Sequence, residues 1–115
     1  MSDFLDRQLG IHARAVQLRS QRLDVLASNI ANADTPGFKA RDLDVSAALK
    51  GGFGAMLGDA AMRYRVPLQA SLDGNTVELA TEQAQFAENA LRYRTSLSFL
   101  SGRIQTMMAA LKGGE

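Results

Sequence analysis

Two long stretches of the chain repeat their apolar residues with a helical period, and between them the repeat breaks down. In the second stretch Phe86, Ala90, Tyr93, Leu97, Leu100, Ile104, Met107 and Leu111 recur at alternating spacings of four and three. That is a heptad seam, a narrow apolar stripe that keeps facing one partner helix. The first stretch carries a matching seam at Leu9, Ala13, Val16, Ser20, Leu23, Ala27 and Ile30. The spacing predicts helices over residues 3–33 and about 76–112, roughly 45 and 55 Å long at about 1.5 Å per residue. Paired along their seams they form an all-α coiled-coil hairpin.

Local chemistry sets the expected helix ends. Ser2 is a candidate N-cap, with Asp3 and Asp6 in the first turn. The first helix runs into Asp34-Thr35-Pro36-Gly37. Proline removes a backbone donor and pushes the residue before it out of the helical region, so the helix should stop near Ala33. Gly37 permits a turn of either hand before Phe38. Further on, Asp73-Gly74-Asn75 reads as a turn, and Asn75 with Glu78 three residues later fits a capping box, with Thr81 a rival cap. Glu78, Glu82 and Glu88 early in this helix, and Arg92, Arg94, Arg103 and Lys112 late, complement its dipole.

Residues 34–75 hold both prolines and six of the ten glycines. The segment is too punctuated for a long helix and too long for an ordinary connection. Short β pieces are expected around Met62–Leu68. The organisation is therefore a helix over 1–33, an irregular glycine-rich segment over 34–75 and a helix over 76–115, together one structural domain. The free subunit is expected to be ordered only in part, with weak protection over 34–75 and at both termini.

A second set of apolar residues lies off the seam. With Leu9 and Leu23 at d positions, Ile11, Leu18 and Val25 all fall at f, pointing away from the partner helix. Leu91 and Phe99 of the second helix are likewise outside its seam. An apolar row opposite a seam belongs to a helix covered on more than one side. Neighbouring subunits are the simplest cover, and the bland alternative is the middle segment folding back over the row. The seam residues Leu9, Val16, Leu23, Ile30, Phe86, Tyr93, Leu97, Leu100 and Ile104 are thus expected inside the subunit. Ile11, Leu18, Val25, Leu91 and Phe99 are expected between subunits.

Composition narrows the chemistry. Thirteen basic residues against 12 acidic leave a net charge of +1, which gives no electrostatic footprint for nucleic acid. The chain has no cysteine, hence no disulfide or thiolate site. No run of about 18 apolar residues occurs, so no direct membrane span is expected. The opening residues lack a basic region followed by an apolar one, so no cleaved signal peptide is expected. His12, the only histidine, has no converging ligands and reads as a solvated helix residue. Gly51-Gly52-Phe53-Gly54 lacks the Gly-Lys-Ser/Thr ending of a phosphate loop and reads as a linker. Arg63, Tyr64 and Arg65 are too few for a nucleic-acid surface. No catalytic, metal or cofactor site is expected.

Asn29 and Asn32 have two readings. They finish the helix locally, or they fix the junction and bind carbonyls of an adjacent subunit. The stretch from Gln21 to Asn32, followed by Ala33-Asp34-Thr35-Pro36-Gly37-Phe38-Lys39-Ala40-Arg41-Asp42, resembles the bacterial flagellar rod and hook axial proteins, most closely their proximal rod branch. Asp73–Leu79, Glu88–Tyr93 and Phe99–Ile104 are similar to the same branch. Asn29, Asn32, Thr35, Pro36, Gly37 and Phe38 carry the shared motif. The resemblance implies a structural protein, not an enzyme, exported by the flagellar type III apparatus. It further implies polymerisation in the periplasm into the basal-body rod that transmits motor torque to the hook. Implied partners are copies of itself, other proximal rod proteins, the rod-base adaptor FliE and the export-gate proteins. A small cytoplasmic helical-hairpin adaptor would also explain the seams, but explains the f-position row and the Asp-Thr-Pro-Gly junction less well.

Overall fold

A computed structural model of the chain describes residues 2–50 and 62–113. Helix α1 (Ser2–Ala31) is followed by strand β1 (Arg41–Leu43), the short helix α2 (Val45–Lys50), strand β2 (Met62–Tyr64) and helix α3 (Leu79–Gly113). The long helices run antiparallel, since Asn29 meets Glu82 at one end and His12 meets Phe99 far along the pair. The body measures 67 × 25 × 18 Å. β1 and β2 pair antiparallel, with Arg41 opposite Tyr64 and Leu43 opposite Met62. The expected glycine linker at residues 51–54, and the side chains of Ser2 and Asp3, lie outside the described residues.

The proline stop acts two residues earlier than expected. α1 ends at Ala31 and its last carbonyls feed a series of turns through Gly37, which takes a φ of 74°. α3 begins later than expected, at Leu79, with the Glu82 amide donating to the Glu78 carbonyl. No capping box forms. The Glu78 carboxylate accepts from the Leu68 amide, the Asn75 side chain is used elsewhere, and Thr81 lies within the first turn.

The residues of each predicted seam divide into two rows that differ in burial. The rows Leu9, Val16, Leu23, Ile30 and Phe86, Tyr93, Leu100, Met107 are partly buried. The alternate rows Ala13, Ser20, Ala27 and Leu97, Ile104, Leu111 are exposed, and Ala90 is half-buried. Their places are taken by residues one position earlier or nearby: Ala15, Leu26 and Asn29 on α1, Glu82 and Asn89 on α3. The α3 contact face is rotated towards a polar row that apolar periodicity does not register.

Leu18 corrects the f-position reading. It is 1% exposed and packs inside the subunit against Leu43 and Ala48, with Val45, Leu49 and Met62 around it. Asp44 caps α2, its carboxylate accepting from the Ala47 amide, and so lays the small face of Ala48 on α1. The middle segment therefore covers this part of the row. Ile11 remains 51% exposed and Val25 is half-buried.

Candidate functional site

The asparagine-rich end of α1 is where all the elements meet. Asn29 is 1% exposed. Its amide donates to the Arg41 carbonyl at 2.6 Å and to Glu82 Oε2 at 2.9 Å, while its oxygen accepts from the Arg41 amide. One side chain thus pairs with a β1 peptide group and reaches α3. Asn32 donates to the Ser28 carbonyl and accepts from the Thr35 hydroxyl. Both asparagines make these bonds within their own chain. The local reading holds for Asn32, and Asn29 works as an internal bridge.

A second lock comes from residues 73–76. Asn75, 5% exposed, donates its amide to the carbonyls of Asn32, Ala33 and Thr35 at 2.9, 3.0 and 2.8 Å. Its own oxygen accepts from the Val77 amide. The end of α1 is thereby capped by a side chain some forty residues away. The Gly37 amide donates to the Asp73 carbonyl, and the Thr76 amide to the Phe38 carbonyl. Gly74 has a φ of 77°, and a Cβ there would stand 3.7 Å from the Gly37 Cα. Two left-handed glycines let the two turns lie back to back. Thr35, Pro36 and Gly37 are exposed and Phe38 half-buried, so the motif shapes this junction more than it fills a core.

Beside this junction lies an ionic network. Arg22 grips Asp42 with two bonds of 2.8 and 2.9 Å and donates to Gln85 at 2.8 Å. Arg65 donates to Asp42 at 2.9 Å and to Glu82, whose side chain is fully buried. Burial pushes the Asp42 carboxyl up, but the Arg22 hydrogen bond, the charges of Arg22 and Arg65, and the Leu43 amide outweigh it and hold the group below its ordinary value. The Asp42 hydrogen bond in turn raises Arg22 against its own burial. Charges this far from water are stable only when each is paired and hydrogen-bonded. Glu82, read from sequence as a dipole complement, also links α3 to α1 and to Arg65, the residue just after β2.

Arg22, Asp42, Arg65, Asn75 and Glu82 were not singled out as a site by sequence reasoning. The available signal was the polar row Glu82, Asn89 and Ser96, spaced by seven in step with the apolar row beside it. Arg65 is engaged in the network and Arg63 stands 4.0 Å from Asp44, which leaves little of the Arg63-Tyr64-Arg65 cluster for a phosphate backbone. His12 is half-buried and stacks on Phe99, with ring centroids 4.6 Å apart and an interplanar angle of 53°. Among the described residues no three His, Asp or Glu side chains form a metal-sized group. No described helix is long and apolar enough to cross a membrane.

Away from the junction the hairpin changes character. Leu91 is 66% exposed and Phe99 48%, and Leu97, Ile104, Met108 and Leu111 are also exposed. A groove of about 540 Å³ runs between the long helices there, lined by Ile11, Val16 and Leu100 among others. One end of the molecule is closed by polar locks, and the other leaves apolar surface open.

Comparison with known proteins decides the family. Residues 9–39 match the model of the flagella basal body rod protein family. Over 98% of its length the chain is 50% identical to the flagellar basal body rod protein FlgB of Cereibacter sphaeroides, covering 99% of that protein. It is 45% identical to FlgB of Aeromonas hydrophila, with 98% of each chain covered. It is 43% identical to FlgB of Escherichia coli K12, with 99% of each covered. The chain belongs to the FlgB family. Family membership makes it a structural rod protein and not an enzyme. The α1 side of the junction falls within the matched segment, since Arg22, Asn29, Asn32 and Gly37 lie in residues 9–39, whereas Asp42, Arg65, Asn75 and Glu82 lie beyond it.

Proposed function

We propose that this chain polymerises in the periplasm, with copies of itself and other proximal rod proteins, into the basal-body shaft that carries motor torque to the hook. The observation that supports this reading best is the division of the hairpin. Its base is cross-braced by Asn29, Asn75 and the Arg22–Asp42–Arg65–Glu82 network, while Ile11, Leu91 and Phe99 stay open to solvent. A cross-braced base transmits force without relying on the tip, and exposed apolar surface of this extent marks an interaction site. Ile11, Leu91, Phe99 and the exposed part of Val25 are the subunit-interface residues in this reading, and Leu18 is not. Export by the flagellar type III route without a cleaved signal, and contacts with FliE and the export gate, follow from the family and belong to the same proposal.

The test is a triple variant, Ile11→Gln, Leu91→Gln and Phe99→Gln. The purified monomer should keep its circular dichroism, because these side chains are about half or more exposed. Rods and motility should be lost, because polar amides would be buried without partners. Normal basal bodies in that strain would refute the interface. Normal basal bodies in a strain deleted for the whole chain would refute the rod reading itself.

A further inference from the structure

A cleft of about 380 Å³ opens beside the ionic network, between α1, β1, α2 and the middle of α3. Its charged lining is Arg19, Arg22, Arg63 and Arg92 against Asp42 and Asp44. Both carboxylates are already engaged. Asp42 is held by Arg22 and Arg65, and Asp44 caps α2 with Arg63 4.0 Å away. Among the described residues Arg92 pairs only with Glu88 one turn earlier, at 2.7 Å and with both side chains more than half exposed. An exposed pair of that kind holds its arginine weakly.

Arg19 has less. Its Nε is buried and has no hydrogen-bond partner, and it enters no ion pair among the described residues. Burial lowers its pKa, and the charges of Arg92 and then Arg22 lower it further. Its backbone carbonyl accepts the Asn89 amide at 2.8 Å, which ties this turn of α1 to α3. A guanidinium that is partly desolvated and faces like charge opposes the stability of the isolated subunit. It becomes favourable once a carboxylate arrives, because a planar fork accepts a carboxylate with two parallel bonds.

We propose that Arg19 and Arg92 form a seat for a carboxylate, filled in the assembled rod by an aspartate of a neighbouring copy of this chain. The proposal rests on the rod reading above. The chain carries suitable carboxylates, since Asp6, Asp24 and Asp34 are exposed and enter no ion pair with a described residue. One arginine without an ion pair and one held only by an exposed pair, against three surface carboxylates that pair with no described residue, are complementary between copies.

The experiment uses the full chain with Arg19→Gln, Arg92→Gln and both together. Purified variants should unfold at a temperature equal to or above the parent's, since a charge conflict has been removed, while cells carrying the double variant should build few or no rods. A lowered unfolding temperature would make Arg19 a structural residue and overturn the seat, and so would normal rods. The aspartate that fills the seat is then sought by charge exchange, with Arg19→Glu combined in turn with Asp6→Arg, Asp24→Arg or Asp34→Arg. Recovery of rods in one combination is the expected result, and recovery in none overturns a second copy as the occupant. If deleting the chain removes rods but the double variant builds them, the seat fails and the rod reading stands.

Discussion

Asn75 donates to three carbonyls at the end of α1 while its oxygen holds the turn that leads into α3. No other residue type offers two donors and an acceptor at so short a reach. Asn75→Ala should therefore lower unfolding free energy by about 1–3 kcal/mol, the usual cost of leaving buried polar groups without partners. Asn75→Asp should do at least as much harm, because it presents a charged acceptor to three carbonyl oxygens. Urea titration followed by circular dichroism checks both, and an unchanged midpoint would remove Asn75 from the lock. Asp42 supplies a pH dependence. Its carboxyl sits below its ordinary value of 3.8 in the folded chain, so its contribution is fully present above that value and is lost as pH falls through the lower, folded one. Stability should fall as the solution is taken below about pH 4. Asp42→Asn should be less stable at pH 7, because Arg22 and Arg65 lose their shared anion, and should show a shallower loss on acidification. An equally steep acid transition in the variant would assign the dependence to other carboxylates.

Among the elements, the two long helices were legible from apolar spacing, but their contact face was legible only in part. The rows through Leu23 and Tyr93 lie on it as expected. The row through Leu97 and Ile104 does not, because Glu82 and Asn89 occupy the neighbouring positions and are fully buried. A hydrophobicity pattern places such residues in solvent, and only their partners on α1 and β2 make burial tolerable. The energetic consequence is direct. Leu26→Ala, at a fully buried position on α1, should cost about 2–5 kcal/mol. Leu97→Ala should cost about 1 kcal/mol or less, since that side chain is 42% exposed and removes little surface from water on folding. Equal destabilisation by the two would mean that α3 presents the seam read from the sequence. The middle segment shows a similar division. A short β piece near Met62 was legible from composition, whereas its seating on Leu18 follows from a core that also needs Leu43 and Ala48.

At the scale of the whole molecule the hairpin has a braced end and an open end. Backbone hydrogen exchange should follow that division, with the strongest protection at residues 18–31 and 82–93. Weak protection is expected near residues 4–12 and 104–113, where exposed apolar side chains replace packed ones. Residues 38–43 and 62–65 should be protected more than a loop-like composition suggests, because the sheet and Asn29 hold them. Uniform protection along both long helices would show that the hairpin is complete without partners and would count against assembly through its open end.

The amino-acid sequence by itself determined the two long helices, the stop at Pro36 and Gly37, the absence of thiol chemistry and the family to which the chain belongs. These follow from properties that act within a few residues: helical period, the missing amide of proline, the permissive backbone of glycine and a motif contained in one segment. The tertiary structure alone decided which face of α3 is inward, that Leu18 is covered by its own chain, and that Asn75 caps a helix some forty residues away. It also decided that Asp42, Arg65 and Glu82 meet, and that the Arg19 Nε is buried without a partner among the described residues. Each of those depends on polar groups from distant segments satisfying one another, and a hydrogen bond between side chains of opposite ends of the chain leaves no periodic trace in either.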